Sequence, residues 1–129
     1  MFKGTINGVI TNNVNVPINV VWNTNDNTGY NNADNSIIFK KSGYYDVAVN
    51  MVVSGTTNTT VTAQLYVNGV ARPNAIAVAD ITATTGTETL TIIDTIKVDD
   101  TFNPTFANIS VRVNDNCNAV GIVTVEKRK

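Results

Sequence analysis

The sequence predicts an all-β fold, a two-sheet antiparallel jelly-roll sandwich of about eight to ten short strands. Three observations carry that expectation. Composition is the first: 20 Asn, 19 Thr and 19 Val fill almost half of the 129 residues. Thr and Val are β-branched and suit a pleated surface, whereas Asn favours turns and tolerates left-handed backbone. Periodicity is the second. Apolar residues recur at every second position, and no long segment keeps them at the i, i+3, i+4 and i+7 spacing of a helix. Punctuation is the third, because Asn-Gly and Asp-Asp pairs close the alternating runs.

Each element follows from these signals. Residues 3–10 and 14–24 read as two strands, and Pro17, which cannot donate a ladder hydrogen bond, confines the second to a sheet edge or a bulge. Residues 23–35 are a polar, turn-rich loop, and 36–40 a short strand before the Ser42-Gly43 turn. The clearest alternation comes next, with Tyr45, Val47, Val49, Met51 and Val53 on one face and Asp46, Ala48, Asn50 and Val52 on the other. Val61, Ala63, Leu65 and Val67 repeat the pattern. Asn68-Gly69 then supplies the positive φ angles of a type I′ turn, predicting a hairpin between 60–67 and 70–72. The chain bends at Arg72-Pro73-Asn74, and 75–81 is a weaker strand of small residues. A loop over 82–89 runs into a strand whose Leu90, Ile92, Asp94, Ile96 and Val98 share a face, ended by Asp99-Asp100. Ile109, Val111 and Val113 alternate in another strand; after the loop at 114–118 a last strand covers 119–125.

Length and charge bound the function. A chain of 129 residues is one domain and buries about two-thirds of its unfolded surface. The formal charge is −1, but Lys127, Arg128 and Lys129 carry +3, leaving −4 on residues 1–126. Such a body is not a nucleic-acid surface, and the basic tail reads as a solvated end. No apolar stretch approaches the roughly 18 residues of a membrane helix. The N-terminal residues lack a basic-then-apolar signal pattern, so export is expected by a route such as lysis. The absence of His removes the commonest general acid/base and the commonest metal ligand.

Few residues offer chemistry. Asp94, Asp99 and Asp100 form the one notable acidic cluster, with Asp80 and Asp115 elsewhere. Calcium needs about six to eight oxygens, and Asp99-Asp100 reads more simply as a turn. Glu88 and Glu126 are the only glutamates, and neither has a conspicuous partner for hydrolysis. Cys117 stands alone in a polar turn with no base near it, an incidental thiol that cannot form an intrachain disulfide. The sequons at Asn58 and Asn108 carry no weight without secretion. No catalytic, cofactor-binding or metal-binding residue is expected. Trp22, Tyr30, Tyr44 and Tyr66 either line a sugar-binding surface or fill a core or subunit interface, and the interface is the favoured reading.

Between Asn25 and Val67 the order of residues resembles the complement globular-head and tumour necrosis factor (TNF) superfamily of trimeric jelly rolls. Asn25 and Tyr30 match its Asn–aromatic pair, and Phe39 its strand-ending Phe. Gly43-Tyr44-Tyr45-Asp46-Val47-Ala48-Val49 matches its Gly-x-Tyr strand, and Leu65-Tyr66-Val67-Asn68-Gly69 its hairpin. Residues 109–113 and 119–125 resemble the closing strands, so the likeness spans about 19–126. Val47 and Val49 stand where the family carries later aromatics, the gap from Phe39 to Gly43 is short, and no Gly-x-y repeat is present. These departures point away from complement or cytokine roles and towards microbial and bacteriophage members.

The resemblance implies a TNF-like homotrimer that acts as a virion structural protein: a capsid-decoration, head-fibre or tail component. The alternatives are a carbohydrate- or receptor-binding attachment head, with a host-surface glycan as partner, or a bacterial spore- or cell-surface protein. No enzyme activity and no cofactor, nucleic-acid or membrane partner is expected. Trp22, Phe39, Tyr45, Val47, Val49 and Tyr66 are the expected trimer-interface or core residues. Residues 1–16 are expected to form an N-terminal arm or edge strand beside a jelly-roll domain of 17–129. Phe2, Lys3, Ile6 and Val9 would then dock on a capsid or other virion protein by adding a strand to its sheet.

Overall fold

A computed structural model describes residues 1–24, 27–55, 60–81, 86–99 and 107–128. Among them are ten strands: β1 (Phe2–Ile10), β2 (Asn19–Asn23), β3 (Thr28–Asn31), β4 (Ser36–Phe39), β5 (Gly43–Ser54), β6 (Thr60–Val67), β7 (Val70–Asp80), β8 (Thr87–Val98), β9 (Asn108–Val113) and β10 (Cys117–Lys127). They form two antiparallel five-stranded sheets. Sheet A has the order β2-β1-β10-β5-β8, and sheet B the order β3-β4-β9-β6-β7.

Alternation sets the register. Tyr45, Val47, Val49, Met51 and Val53 of β5 are all at most 1% exposed, and Leu90, Ile92 and Ile96 of β8 at most 2%. The two strands pair over twelve positions, from Gly43↔Val98 to Ser54↔Thr87. A slip of one residue would turn every one of these side chains to water. Sheet B answers with Val61, Ala63 and Leu65 on β6 and Ile109, Val111 and Val113 on β9, each at most 2% exposed. Tyr45 sits at the centre, its ring centroid 4.4 Å from that of Phe39. Its hydroxyl donates to the Lys41 carbonyl at 2.7 Å and to the Asn27 carbonyl at 3.3 Å, so the polar atom is satisfied within the core.

Asn carries the turns. All three positive-φ residues other than Gly among the described residues are Asn: Asn13, Asn35 and Asn68. Asn68 (φ 51°) and Gly69 (φ 79°) build the expected type I′ turn. The bend at Arg72-Pro73-Asn74 is a large bulge rather than a strand end. From Gln64 to Tyr66, two steps on β6 match five on β7, from Ile76 back to Ala71.

The N-terminal third departs from the sequence reading. Residues 1–16 do not form an arm outside the sandwich, nor an edge strand. β1 pairs with β10 on one side over nine positions and with β2 on the other. Phe2, Ile6 and Ile10 are 0%, 1% and 2% exposed, so the strand supplies core. One edge of sheet A is β2, which begins just after Pro17 and pairs with β1 through a register shift between Lys3 and Gly4. Between β1 and β2 the chain crosses to sheet B, where Asn13 N–H donates to the Val113 carbonyl and Val16 N–H to the Val111 carbonyl, both at 2.8 Å. β3 falls in the expected loop, where pairing with β4 and a hydrogen bond from Thr28 Oγ1 to Asn23 Oδ1 order four residues without apolar alternation. β10 begins at Cys117, two residues before the expected start.

Two buried acids and one partly buried one give the fold a pH limit. Burial pushes the Tyr30 and Tyr45 hydroxyls above their ordinary 10.0, and burial together with Asp115 pushes the Cys117 thiol above 9.0. The unfolded chain releases these protons first as pH rises, so the stability they contribute is whole below about pH 9 and is lost above it. Melting temperature is expected to hold between about pH 6 and 8 and to fall through pH 10, in step with tyrosinate absorbance. A flat profile to pH 11 would contradict the burial of these groups.

Candidate functional site

The outer face of sheet A carries several rows of uncharged side chains. Its side chains alternate with the core set, so the register places them in rows: Asn7, Val120, Val52 and Thr89 in one, Thr5, Ile122, Asn50 and Thr91 in the next. Val120 is 61% exposed, Ile122 45%, Val52 42% and Ile93 76%. Thr and Asn fill the space between them. Gly121 lets β10 approach β5 closely here, because a Cβ at that position would meet Met51 and the Asn50 carbonyl. A shallow groove of about 500 Å³ runs over Thr5, Asn50, Val120 and Ile122.

Charge gathers towards one end of this face, on Lys3, Asp46, Lys97 and Glu126, and part of it is paired. Arg128 reaches Asp46 at 2.8 Å, and Thr95 Oγ1 donates to the same carboxylate at 2.9 Å. These hydrogen bonds hold the Asp46 carboxyl below its usual range. Lys97 lies over the Tyr44 ring, 5.9 Å from its centroid, and pairs with Asp99 at 3.5 Å. Uncharged aliphatic and amide side chains beside a charged rim are the composition of an interface core.

The predicted site residues separate into distinct environments. Phe39, Tyr45, Val47 and Val49 are core, at most 1% exposed, so none of them belongs to a subunit interface. Trp22 is not core: it is 55% exposed on the edge strand β2, opposite Lys3. Tyr66 lies half-buried on the far side of the molecule, in sheet B, with the Arg112 guanidinium 4.3 Å above its ring. Of the docking set, Phe2 and Ile6 are buried, while Lys3 and the 76%-exposed Val9 sit on the outer face of sheet A. Tyr30 is held by its hydroxyl, which accepts from Ile18 N–H and donates to Asn35, each at 3.0 Å.

The acidic residues are committed elsewhere. Asp94 pairs with Arg72 at 2.9 Å and Asp80 accepts from Thr60, whereas Asp100 lies outside the described residues, as does Asn58. Glu126 pairs in register with Asp46 and Glu88 with Val53. Seven positions along β5 separate them by about 23 Å. That is well beyond the roughly 5–9.5 Å between the carboxyls of a glycosidase. The aliphatic face itself escaped sequence reading, although Val120, Ile122 and Ile93 form the outward half of the alternations that identified the core.

No protein-family model matches the sequence, and comparison with the curated proteins gives no match. Solved structures do match. Eiger TNF from S. frugiperda superposes with a TM-score of 0.67 over 99% of this chain and 95% of that one, at 10% identity. Murine APRIL, in a crystal structure at pH 5.0, gives 0.60 over 95% and 98%, at 9% identity. At such identities the likeness speaks for the backbone alone: the chain has the TNF-like jelly-roll fold.

Proposed function

We propose that this chain is a non-enzymatic structural protein of a virion surface, a capsid-decoration, head-fibre or tail component that acts as a homotrimer. The observation that carries the reading is the run of uncharged rows on the outer face of sheet A, with four aliphatic side chains between 42% and 76% exposed. A lone copy leaves that face in water; three copies about one axis bury it, and closed symmetry halts further growth. The TNF-like fold supports threefold assembly, because the superfamily it resembles is trimeric. The Asn- and Thr-rich, His-free composition supports the microbial and bacteriophage side of that resemblance.

Docking on the particle does not use β1 as an added strand, since both of its edges are already hydrogen-bonded. Within the N-terminal quarter the open edge is β2, where Val20, Val21 and Trp22 are 45%, 58% and 55% exposed. The double variant Val21→Glu, Trp22→Glu is expected to keep the wild-type solution mass and β-sheet circular dichroism, yet to be absent from purified particles. Incorporation of that variant at the wild-type level would remove β2 as the docking edge. Absence of the wild-type chain from purified particles would overturn the virion role.

A further inference from the structure

The outer side of sheet B holds a polar recess of about 470 Å³ that the assembly face does not use. Its walls come from three parts of the chain. The segment crossing from β1 to β2 brings Asn15 beside β9, the β3–β4 turn and the start of β4 bring Asp34 and Ser36, and β9 presents Asn108, Ser110 and Arg112. The Asn68-Gly69 turn closes one end.

The walls are fixed by their own hydrogen bonds. Arg112 Nε donates to Asn15 Oδ1 at 2.8 Å, and Asn15 Nδ2 donates to the Asp34 carbonyl at 2.8 Å. Ser36 Oγ donates to Asp34 Oδ1 at 2.6 Å. The Arg112 guanidinium is braced on the Tyr66 ring. Asn68 Oδ1 accepts from Asn108 N–H at 2.9 Å.

What remains unspent faces the recess. Ser110 is only 4% exposed, lines the cavity, and its hydroxyl has no hydrogen-bond partner among the described residues. No buried side-chain polar atom among the described residues lacks a partner, so this hydroxyl meets solvent in the recess and is open to a ligand there. Beside it the terminal nitrogens of Arg112, the side-chain amide of Asn108, the Asn68 amino group and the second oxygen of Asp34 make no hydrogen bond among the described residues. Donors and acceptors therefore alternate around one small space, with one cationic and one anionic group in balance. A free anion would meet Asp34 and a free cation Arg112. Adjacent hydroxyls, each both donor and acceptor, suit the set.

We infer that this recess binds a neutral saccharide residue through vicinal hydroxyls, with Asp34 and Ser110 accepting and Arg112 and Asn108 donating. The site belongs to a single copy and stands whether or not the chain trimerises. In a trimer closed through sheet A, three such recesses face outwards, and a multivalent glycan gains avidity without new contacts.

The test is a titration of the full ¹⁵N-labelled chain with glucose, galactose, mannose and N-acetylglucosamine at millimolar concentration, and separately with inorganic phosphate. At least one sugar is expected to give saturable shifts at the amides of Asn68, Asn108, Ser110 and Arg112, with phosphate giving none. Ser110→Ala is expected to weaken that sugar about fivefold, as one hydrogen bond is lost, and Asp34→Asn about tenfold. Asn108→Ala, at a half-buried position, repeats the test if Ser110→Ala loses its dispersed spectrum. No saturable shift with any of the four sugars, phosphate shifting these amides instead, or affinity indifferent to these substitutions would each overturn the assignment.

Discussion

Tyr45→Ala is expected to lower the unfolding free energy by about 3–5 kcal/mol, the cost of removing a large aromatic from a closed core. The ring is 0% exposed and touches Phe39 at 4.4 Å between centroids. β5 is paired along its length by β10 on one side and β8 on the other, so the cavity has no easy way to collapse. Tyr45→Phe separates packing from hydrogen bonding. It keeps the ring and removes only the donor to the Lys41 and Asn27 carbonyls, for an expected loss of about 1 kcal/mol. Chemical denaturation at one fixed protein concentration reads both, because assembly makes apparent stability concentration-dependent. A loss below about 1 kcal/mol for Tyr45→Ala would mean that the residue is not central to the core.

The second large effect is on assembly. Val120→Lys combined with Ile122→Lys is expected to abolish self-association while leaving the monomer folded. Both side chains point away from the core, so the sandwich has no need of them. At an interface, each copy would bring two ammonium groups into the uncharged rows of this face, and burying an unpaired charge costs several kcal/mol. Since about 1.4 kcal/mol is a factor of ten, the dissociation constant rises by at least about a thousandfold. Val9→Lys, at the margin of the same face, is expected to have a much smaller effect. Light scattering and circular dichroism on each variant check the pair of claims: mass falls, spectrum holds.

Most of the sandwich was legible because period-two alternation and Asn-Gly turns are local signals that burial on one face enforces. β5, β6, β8 and β9 follow directly from the positions of Tyr45, Val61, Leu90 and Ile109. The N-terminal third was less legible for a physical reason. Whether β1 is a free arm or an interior strand depends on its partners, β10 and β2, and β10 lies more than a hundred residues along the chain. β3 was hidden because its four residues owe their order to β4 and to Asn23 rather than to their own pattern.

The candidate surfaces were harder still. Phe39, Tyr45, Val47 and Val49 looked alike as core or interface until the register assigned them inwards. The residues now facing out, Val52, Ile93, Val120 and Ile122, are small aliphatics that single out nothing when read one by one. The recess on sheet B gathers Asn15, Asp34, Ser110 and Arg112 from three separate stretches of chain, which sequence spacing cannot bring together.

The most direct test of the account is the absolute mass of the purified chain by light scattering across a dilution series. A stable species of three times the 13.8 kDa chain mass, lost in the Val120→Lys, Ile122→Lys variant, is the predicted result. A species of 13.8 kDa at every concentration would contradict assembly through sheet A and with it the structural role proposed for its uncharged rows.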